Sequence, residues 1–105
     1  MKNKEKRVYL LLKKIPKGKA ATYGGIAEKL RMSPREVGKI LSRNEHPEKF
    51  PCYKVVRSDG ALGGYTIKNR NDSATLTVKK RKLIEDGVKF NKDKLDRSSI
   101  FHFKA

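Results

Sequence analysis

The strongest local signal in this sequence is the start of a short helix at Ser33. Ser33 is a favoured N-cap residue, Pro34 fits the first helical position, and Glu36 lies where it can complete a capping box. Apolar residues then recur at helical spacing, which predicts one buried face and one outer face. The predicted inward residues are Val37, Ile40 and Leu41, and the predicted outer face is Arg35, Gly38, Lys39 and Ser42.

A second short helix is predicted just before this one. Thr22 is a good N-cap for a helix over Tyr23–Arg31, and the turn Arg31-Met32-Ser33 joins the two helices. Two short helices in this arrangement, the second with a basic and small-residue outer face, indicate a helix-turn-helix. An ordinary helical hairpin with solvated charges fits the same pattern equally well.

The rest of the chain supplies a short helix on each side and a small amount of strand. The remaining predicted elements are a helix with the apolar stripe Val8, Leu11, Leu12 and Ile15, a loop over Asn44–Lys49, strands over Tyr53–Arg57 and Ala61–Tyr65, a loop over Thr66–Ala74, and a helix over Thr75–Asp86 that Gly87 ends. The two strands, joined through Ser58-Asp59-Gly60, would form a wing. The expected fold is mainly α with a small β wing, a winged helix-turn-helix in one domain over residues 1–105, with the apolar tail 88–105 docked on it.

The charge of the chain points to a polyanionic partner. Lysine and arginine number 27 against 11 acidic residues, a formal net charge of +16. Neutralising phosphates is the usual use of such a charge, although a merely soluble lysine-rich surface is the alternative. An apolar run long enough to cross a bilayer is absent from the sequence, so no membrane partner and a cytoplasmic location are expected. With one cysteine and two distant histidines, no disulfide and no metal site are expected.

The single cysteine, Cys52, follows a proline and precedes the β-branched pair Val55-Val56. A lone intracellular cysteine is usually a buried, inert residue. A nucleophile would need cationic or hydrogen-bonding neighbours and access. On an extended strand Lys54 would share the face of Cys52, and Tyr53 would point the other way.

Six segments together resemble the O6-alkylguanine-DNA alkyltransferases. Pro51-Cys52-Tyr53-Lys54-Val55-Val56 is similar to their Pro-Cys-His-Arg-Val signature. The other similar segments are Thr22-Tyr23 at the start of the helix-turn-helix, Arg35-Glu36-Val37-Gly38 in the recognition helix, Asn44 eight residues before the cysteine, Gly64-Tyr65-Thr66 in the active-site loop, and Leu83-Ile84-Glu85-Asp86-Gly87. The resemblance covers residues 8–87, in the same order and with nearly the same spacing.

The resemblance implies single-turnover transfer of an alkyl group from guanine O6 in double-stranded DNA to Cys52, by a monomer without a cofactor. The lesion base would be flipped out of the duplex. The implied DNA-binding residues are Arg35 (filling the gap in the stack), Gly38, Lys39, Ser42, Arg43 and Tyr23. The implied site residues are Tyr23 (flipping or proton donation), Asn44 (hinge), and Val55, Tyr65 and Thr66 (base pocket).

Three departures from the family pattern affect these expectations. Tyr53 replaces the histidine that passes the thiol proton through a water, and the far end of that relay would be Asp86 or Glu85. The loop after Tyr65 is longer, and the sequence resembles the catalytic, DNA-binding half of the family alone, without its separate N-terminal domain. Two alternatives therefore stay open, a lesion-binding protein of the alkyltransferase-like type that transfers nothing, and a winged-helix regulator in which Cys52 is incidental.

Overall fold

Four α-helices and two very small sheets make up the part of the chain that the computed structural model describes, residues 3–66 and 70–103. The helices are α1 (Asn3–Leu12), α2 (Tyr23–Leu30), α3 (Pro34–Ser42) and α4 (Ser73–Asp86). The strands are β1 (Ala21–Thr22), β2 (Val55–Val56), β3 (Phe90–Asn91) and β4 (Lys94–Leu95), and two 3-10 helices span Cys52–Lys54 and Arg97–Ser99. The predicted mainly helical class is confirmed.

Helices α2 and α3 form where their caps were predicted. Thr22 Oγ1 accepts a hydrogen bond from Gly25 N at 2.9 Å, and Ser33 Oγ accepts one from Glu36 N at 3.1 Å. The carboxylate of Glu36 does not turn back to the cap but accepts a bond from Lys4 Nζ at 3.1 Å. Helix α2 ends at its C-cap Arg31, which adopts the left-handed conformation with φ 57°. One residue therefore sets the turn between the two helices.

The predicted pairing of two strands over Tyr53–Arg57 and Ala61–Tyr65 is wrong, although the turn between them is present. The segment predicted as a strand over Tyr53–Arg57 begins as a 3-10 helix, and its two-residue strand β2 pairs in parallel with β1, Val55 opposite Ala21. Residues 61–66 form no regular structure. A single pair of bonds closes the turn, from Arg57 N to Ala61 O at 2.8 Å and from Gly60 N to Arg57 O at 2.9 Å. Carbonyl groups on both sides of this turn accept hydrogen bonds from a lysine of α4 that is described below.

Helix α4 begins two residues earlier than predicted. Asp72 caps α4 through a capping box with Thr75, so the helix begins at Ser73 instead of at Thr75. Gly87, with φ 99°, ends the helix as predicted. Strands β3 and β4 form a small hairpin, and Phe101 N donates to Ala20 O at 2.8 Å. The predicted loop over Thr66–Ala74 lies partly outside the described residues, at positions 67–69.

The core is built between α1, α2, α3 and the segment that contains Cys52. Val8, Ile26, Val37 and Val55 are fully buried in it, and Cys52 is 7% exposed in the same cluster. Ile15 is buried as predicted but lies beyond the end of α1. Among the described residues, the helices are all too short or too polar to span a bilayer.

Candidate active site

Cys52 lines a cleft of about 1320 Å³ beside the recognition helix α3. The cleft is bounded on one side by α2 and α3 and on the other by the irregular segment 57–66. Its lining includes the predicted residues Tyr23, Arg35, Gly38, Ser42, Cys52, Tyr65 and Thr66. The structure thus brings together seven residues that are spread over more than forty positions of the sequence.

Packing and one amide hold the cysteine in place. Phe50, two residues before it, stacks on Tyr9 with ring centroids 5.2 Å apart, and Tyr9 donates a hydrogen bond to Ile40 O at 2.7 Å. Asn44 Nδ2 donates to Phe50 O at 2.8 Å, and Asn44 Oδ1 accepts from His46 N at 3.0 Å. Asn44, the residue predicted as a hinge, therefore connects the end of α3 to the turn that enters Cys52.

The thiol lies between opposing electrostatic influences. Burial raises the pKa of Cys52, and this is the largest effect. A hydrogen bond from Asn44 and the positive charges of Lys79 and Lys82 act in the other direction and lower that pKa. On balance the pKa of Cys52 is raised, and the amide of Asn44 and two ammonium groups of α4 offset only part of the effect of burial.

Lys79 was missed by sequence reasoning as a residue of the site. Its side chain is fully buried, and its Nζ donates to Val55 O at 2.7 Å, Leu62 O at 2.5 Å and Gly64 O at 3.1 Å. Burial lowers the pKa of Lys79 to about 8. A signal existed, because Lys79 lies midway between Thr75 and Leu83 on the buried side of α4. Lysine at such a position is rare unless it is bonded.

Lys79 also determines how the far wall of the cleft is built. By bonding Val55, Leu62 and Gly64 it connects the strand after the cysteine with the irregular segment opposite α3. Val55, predicted to line the base pocket, is fully buried in the core instead and reaches this network through its carbonyl group. A buried ammonium with three carbonyl acceptors has no proton left unbonded.

Tyr53 and Tyr65 share the neighbouring lysine. Lys82 Nζ lies 3.3 Å from Tyr65 Oη, 5.6 Å from the centroid of the Tyr53 ring and 5.8 Å from that of Tyr65. Burial, followed by the negative charge of Asp86, raises the pKa of Tyr53. At neutral pH the phenol of Tyr53 is therefore protonated and is a poor base.

The carboxylates predicted as the far end of a relay have other partners. Asp86 Oδ2 lies 3.0 Å from Lys54 Nζ and accepts a bond from Gly18 N at 2.9 Å. Glu85 is exposed and pairs with Arg81 at 3.7 Å. The expectation that Lys54 shares the face of Cys52 on an extended strand is wrong, because Cys52–Lys54 form a 3-10 helix and the two side chains line different cavities.

The outer face of α3 is open where DNA is expected to lie. Arg35, Lys39 and Arg43 are exposed, and a Cβ added to Gly38 would meet no atom within 4 Å. Ser42 Oγ donates to Lys39 O at 2.7 Å. A helix face without bulky side chains can approach DNA closely, and cationic side chains beside that face can contact the phosphates.

Tyr23 lies at the mouth of the cleft, opposite Gly63. Its hydroxyl donates a long bond to Gly64 O at 3.4 Å, and burial raises its pKa to about 12. Gly63 has φ +71°, and a Cβ there would come within 3.0 Å of the Tyr23 ring. The Tyr23 ring is thus closely packed against Gly63, and its hydroxyl group is protonated at neutral pH.

Comparisons with known proteins agree with this geometry. Residues 3–88 match the family described as "6-O-methylguanine DNA methyltransferase, DNA binding domain". A methylated-DNA–protein-cysteine methyltransferase of Pyrobaculum aerophilum is 43% identical over 84 residues, which are 80% of this chain and 51% of that protein. A bifunctional methyltransferase/endonuclease of Picrophilus torridus is 41% identical over 91 residues, 85% of this chain and 28% of that protein. The chain thus spans about half or less of these relatives.

Two solved structures resemble the fold closely. The crystal structure of O6-methylguanine-DNA methyltransferase from Pyrococcus kodakaraensis has a TM-score of 0.70 at 38% identity, covering 84% of this chain and 48% of that one. S. pombe Atl1, in complex with damaged DNA containing O6-carboxymethylguanine, has a TM-score of 0.69 at 29% identity, covering 87% and 83%. These likenesses confirm the winged helix-turn-helix class. The chain belongs to the family of the DNA-binding domain of 6-O-methylguanine DNA methyltransferases.

Proposed function

We propose that this chain repairs duplex DNA by moving an alkyl group from guanine O6 to Sγ of Cys52. The observation that supports this best is the position of the cysteine, which lines the same cleft as the recognition helix. Asn44 and two lysines of α4 act to lower the pKa of the thiol, against the larger effect of its burial. A thiol that served only as core filling would not need these neighbours.

A base that is alkylated inside a duplex must leave the stack before a buried thiol can reach it. Helix α3 would approach the DNA through the open position at Gly38, and the exposed side chain of Arg35 would occupy the space that the base leaves. Lys39 and Arg43 would contact phosphates on either side. The flipped base would then enter between Tyr65, Thr66 and Tyr23, which line the cleft.

In the transfer step the thiolate of Cys52 attacks the alkyl carbon, the carbon–O6 bond breaks and a carbon–sulfur bond forms. The electron pair of the broken bond stays on the guanine, which takes up one proton, so the thiol proton is balanced by the proton gained on the base. Tyr23 is protonated at neutral pH, because its pKa is raised to about 12, and can donate a hydrogen bond to the departing oxygen. The thioether product is stable, so each molecule acts once.

The experiment is the intact mass of the protein after incubation with a duplex that contains O6-methylguanine. One added methyl group per chain is expected, and none in Cys52→Ser, which should still bind the duplex. An undamaged duplex of the same sequence is the control. Absence of any mass change in a folded protein that binds the duplex would contradict the transfer.

A second function, binding of the lesion without transfer, is favoured by one specific feature. Tyr53 follows the cysteine, and its raised pKa makes it a poor acceptor for the thiol proton. The structural likeness to Atl1, whose structure contains damaged DNA, extends over 83% of that chain. This alternative predicts preferential affinity for the lesion duplex together with an unchanged mass. Equal affinity for damaged and undamaged duplex, with no mass change, would contradict both proposals.

A further inference from the structure

We propose that Asn71 contacts the alkylated base in the cleft, where its side-chain amide hydrogen-bonds the ring nitrogen N1 and the 2-amino group of O6-alkylguanine. Asn71 belongs to the longer loop after Tyr65, one of the departures from the family pattern. This inference rests on the proposed function, because it requires the flipped guanine to enter the cleft. It deepens that proposal by naming a residue that distinguishes the alkylated base from guanine.

Asn71 and Cys52 line the same cleft. The side chain of Asn71 lies against Gly64, on the wall opposite α3. A Cβ added to Gly64 would come within 2.8 Å of Asn71 Nδ2 and 3.3 Å of Asn71 Oδ1. The carbonyl of the same glycine accepts the bond from Tyr23 Oη at 3.4 Å. The amide of Asn71 and the phenol of Tyr23 therefore both lie next to this glycine.

The absence of a side chain at Gly64 gives the Asn71 amide its place. Gly64 is not among the glycines with positive φ, so its backbone conformation is open to other residues. A side chain at this position would nevertheless lie too close to Asn71 Nδ2 and would displace the amide from the wall. Glycine at position 64 therefore provides space for a neighbouring side chain.

The backbone at Asn71 is held by the cap of α4. Asp72, the next residue, is the N-cap and forms a capping box with Thr75. Arg70, the residue before, donates from Nη2 to Asp72 Oδ2 at 2.9 Å. Asn71 thus lies between two residues whose side chains pair with each other, while its own side chain lines the cleft.

The amide of Asn71 has hydrogen-bonding capacity that suits this base. Among residues 3–66 and 70–103, no group forms a hydrogen bond with it, and the residue is exposed. A primary amide presents an acceptor beside a donor. Alkylation at O6 leaves N1 of guanine without its hydrogen, so N1 becomes an acceptor beside the donor 2-amino group. In unmodified guanine N1 is a donor and would oppose the NH2 group of the amide.

DNA binding in the Cys52→Ser background tests this contact without alkyl transfer. We would measure, by fluorescence anisotropy, the affinity for a duplex with O6-methylguanine and for the undamaged duplex of the same sequence. Asn71→Leu keeps the approximate volume of the side chain and removes both hydrogen-bonding groups. Its preference for the lesion duplex should fall about three- to tenfold, because the bonds to the base are lost, while its affinity for the undamaged duplex is unchanged.

Two further measurements locate the contact. In a duplex with O6-methylhypoxanthine, which lacks the 2-amino group, Asn71→Leu should reduce affinity by about threefold or less, because only the bond to N1 is left to lose. Gly64→Ala should also reduce the preference for O6-methylguanine, because its methyl group displaces the amide. Added to Asn71→Leu, it should cause no further loss.

Asn91→Leu is the matched control, because Asn91 is exposed in β3 and does not line the cleft. Its preference for the lesion duplex should equal that of the Cys52→Ser parent. Equal preferences for Asn71→Leu and Asn91→Leu would overturn the proposal. An Asn71→Leu protein that loses affinity equally for the damaged and the undamaged duplex would also overturn it.

These outcomes separate the inference from the proposed function. If Asn71→Leu loses the preference for the lesion but the protein with Cys52 takes up no methyl group, alkyl transfer fails and the contact stands. If the methyl group is transferred and Asn71→Leu keeps the preference, the contact fails and the function stands. A Cys52→Ser parent with no preference for the lesion duplex would overturn the contact, whatever the result for transfer.

Discussion

Replacing Lys54 by methionine should destabilise the fold strongly, because it breaks a buried ion pair. Lys54 Nζ lies 3.0 Å from Asp86 Oδ2, and the two side chains are only 5% and 17% exposed. The same nitrogen donates to Pro16 O at 2.8 Å. Removing one partner of a buried pair typically costs 3–5 kcal/mol, because the other charge stays buried without a partner. Asp86 keeps its bond from Gly18 N, so we expect the lower end, about 3 kcal/mol.

Urea unfolding followed by circular dichroism measures this loss, and melting should fall by about 12–20 °C for a domain of this size. Lys4→Met is the matched control, since Lys4 pairs with Glu36 at 3.1 Å but is 68% exposed. That change should alter the free energy of unfolding by about 0.5 kcal/mol or less. The double change Lys54→Met with Asp86→Leu should recover part of the loss, because no charge is left buried.

Two results would refute this reasoning about Asp86 and Lys54. The first is a Lys54→Met protein that is no less stable than Lys4→Met. The second concerns Asp86→Asn, which should reduce stability and leave the alkylation rate of Cys52 within about twofold, as expected for a group that is bonded to Lys54 instead of the thiol. A large change of thiol reactivity with little loss of stability would favour the relay predicted from the sequence.

Three further predictions concern DNA and catalysis. Gly38→Ala should stabilise the protein by about 0.5–1 kcal/mol in urea unfolding, because the added Cβ meets no atom within 4 Å. The same change should weaken affinity for duplex DNA, measured by fluorescence anisotropy. Stronger binding would contradict a close approach of α3 to the DNA. Arg35→Ala should slow repair of a lesion duplex more than reaction with free O6-alkylguanine, and equal losses would argue against a role in flipping. Tyr53→His should preserve or raise the transfer rate in single-turnover assays, whereas a large loss would reveal a role of its own for the phenol.

The helix-turn-helix was predictable because its signals are local. Ser33, Pro34 and Thr22 act within one turn of the chain, and the structure places the two helices where these residues predict them. The start of α4 was missed although its signal was equally local. Asp72 and Thr75 form the cap, but the polar run before them was assigned to a loop.

The wing and the lysines could not be predicted, because their causes are distant in sequence. The pair Val55-Val56 favours a strand, but its partner could be Ala61–Tyr65 or β1, and the residues of β1 that it pairs with lie 34 positions before it. The position of Lys79 between Thr75 and Leu83 indicates burial, but its carbonyl acceptors lie 15 to 24 positions before it, so the sequence does not indicate which groups it bonds. The candidate cysteine was identifiable, but its electrostatic neighbours were not.

The inclusion of Cys52 in the main hydrophobic cluster has a consequence for attempts to engineer this protein. Val8, Ile26 and Val37 belong to the same cluster as the thiol, so its chemical surroundings and the interior of the domain are one set of side chains. Substitutions selected for heat resistance in this interior would change the reactivity of the thiol at the same time. Libraries aimed at the cleft should therefore vary its rim, at Thr66 and Ser42, and leave the interior fixed.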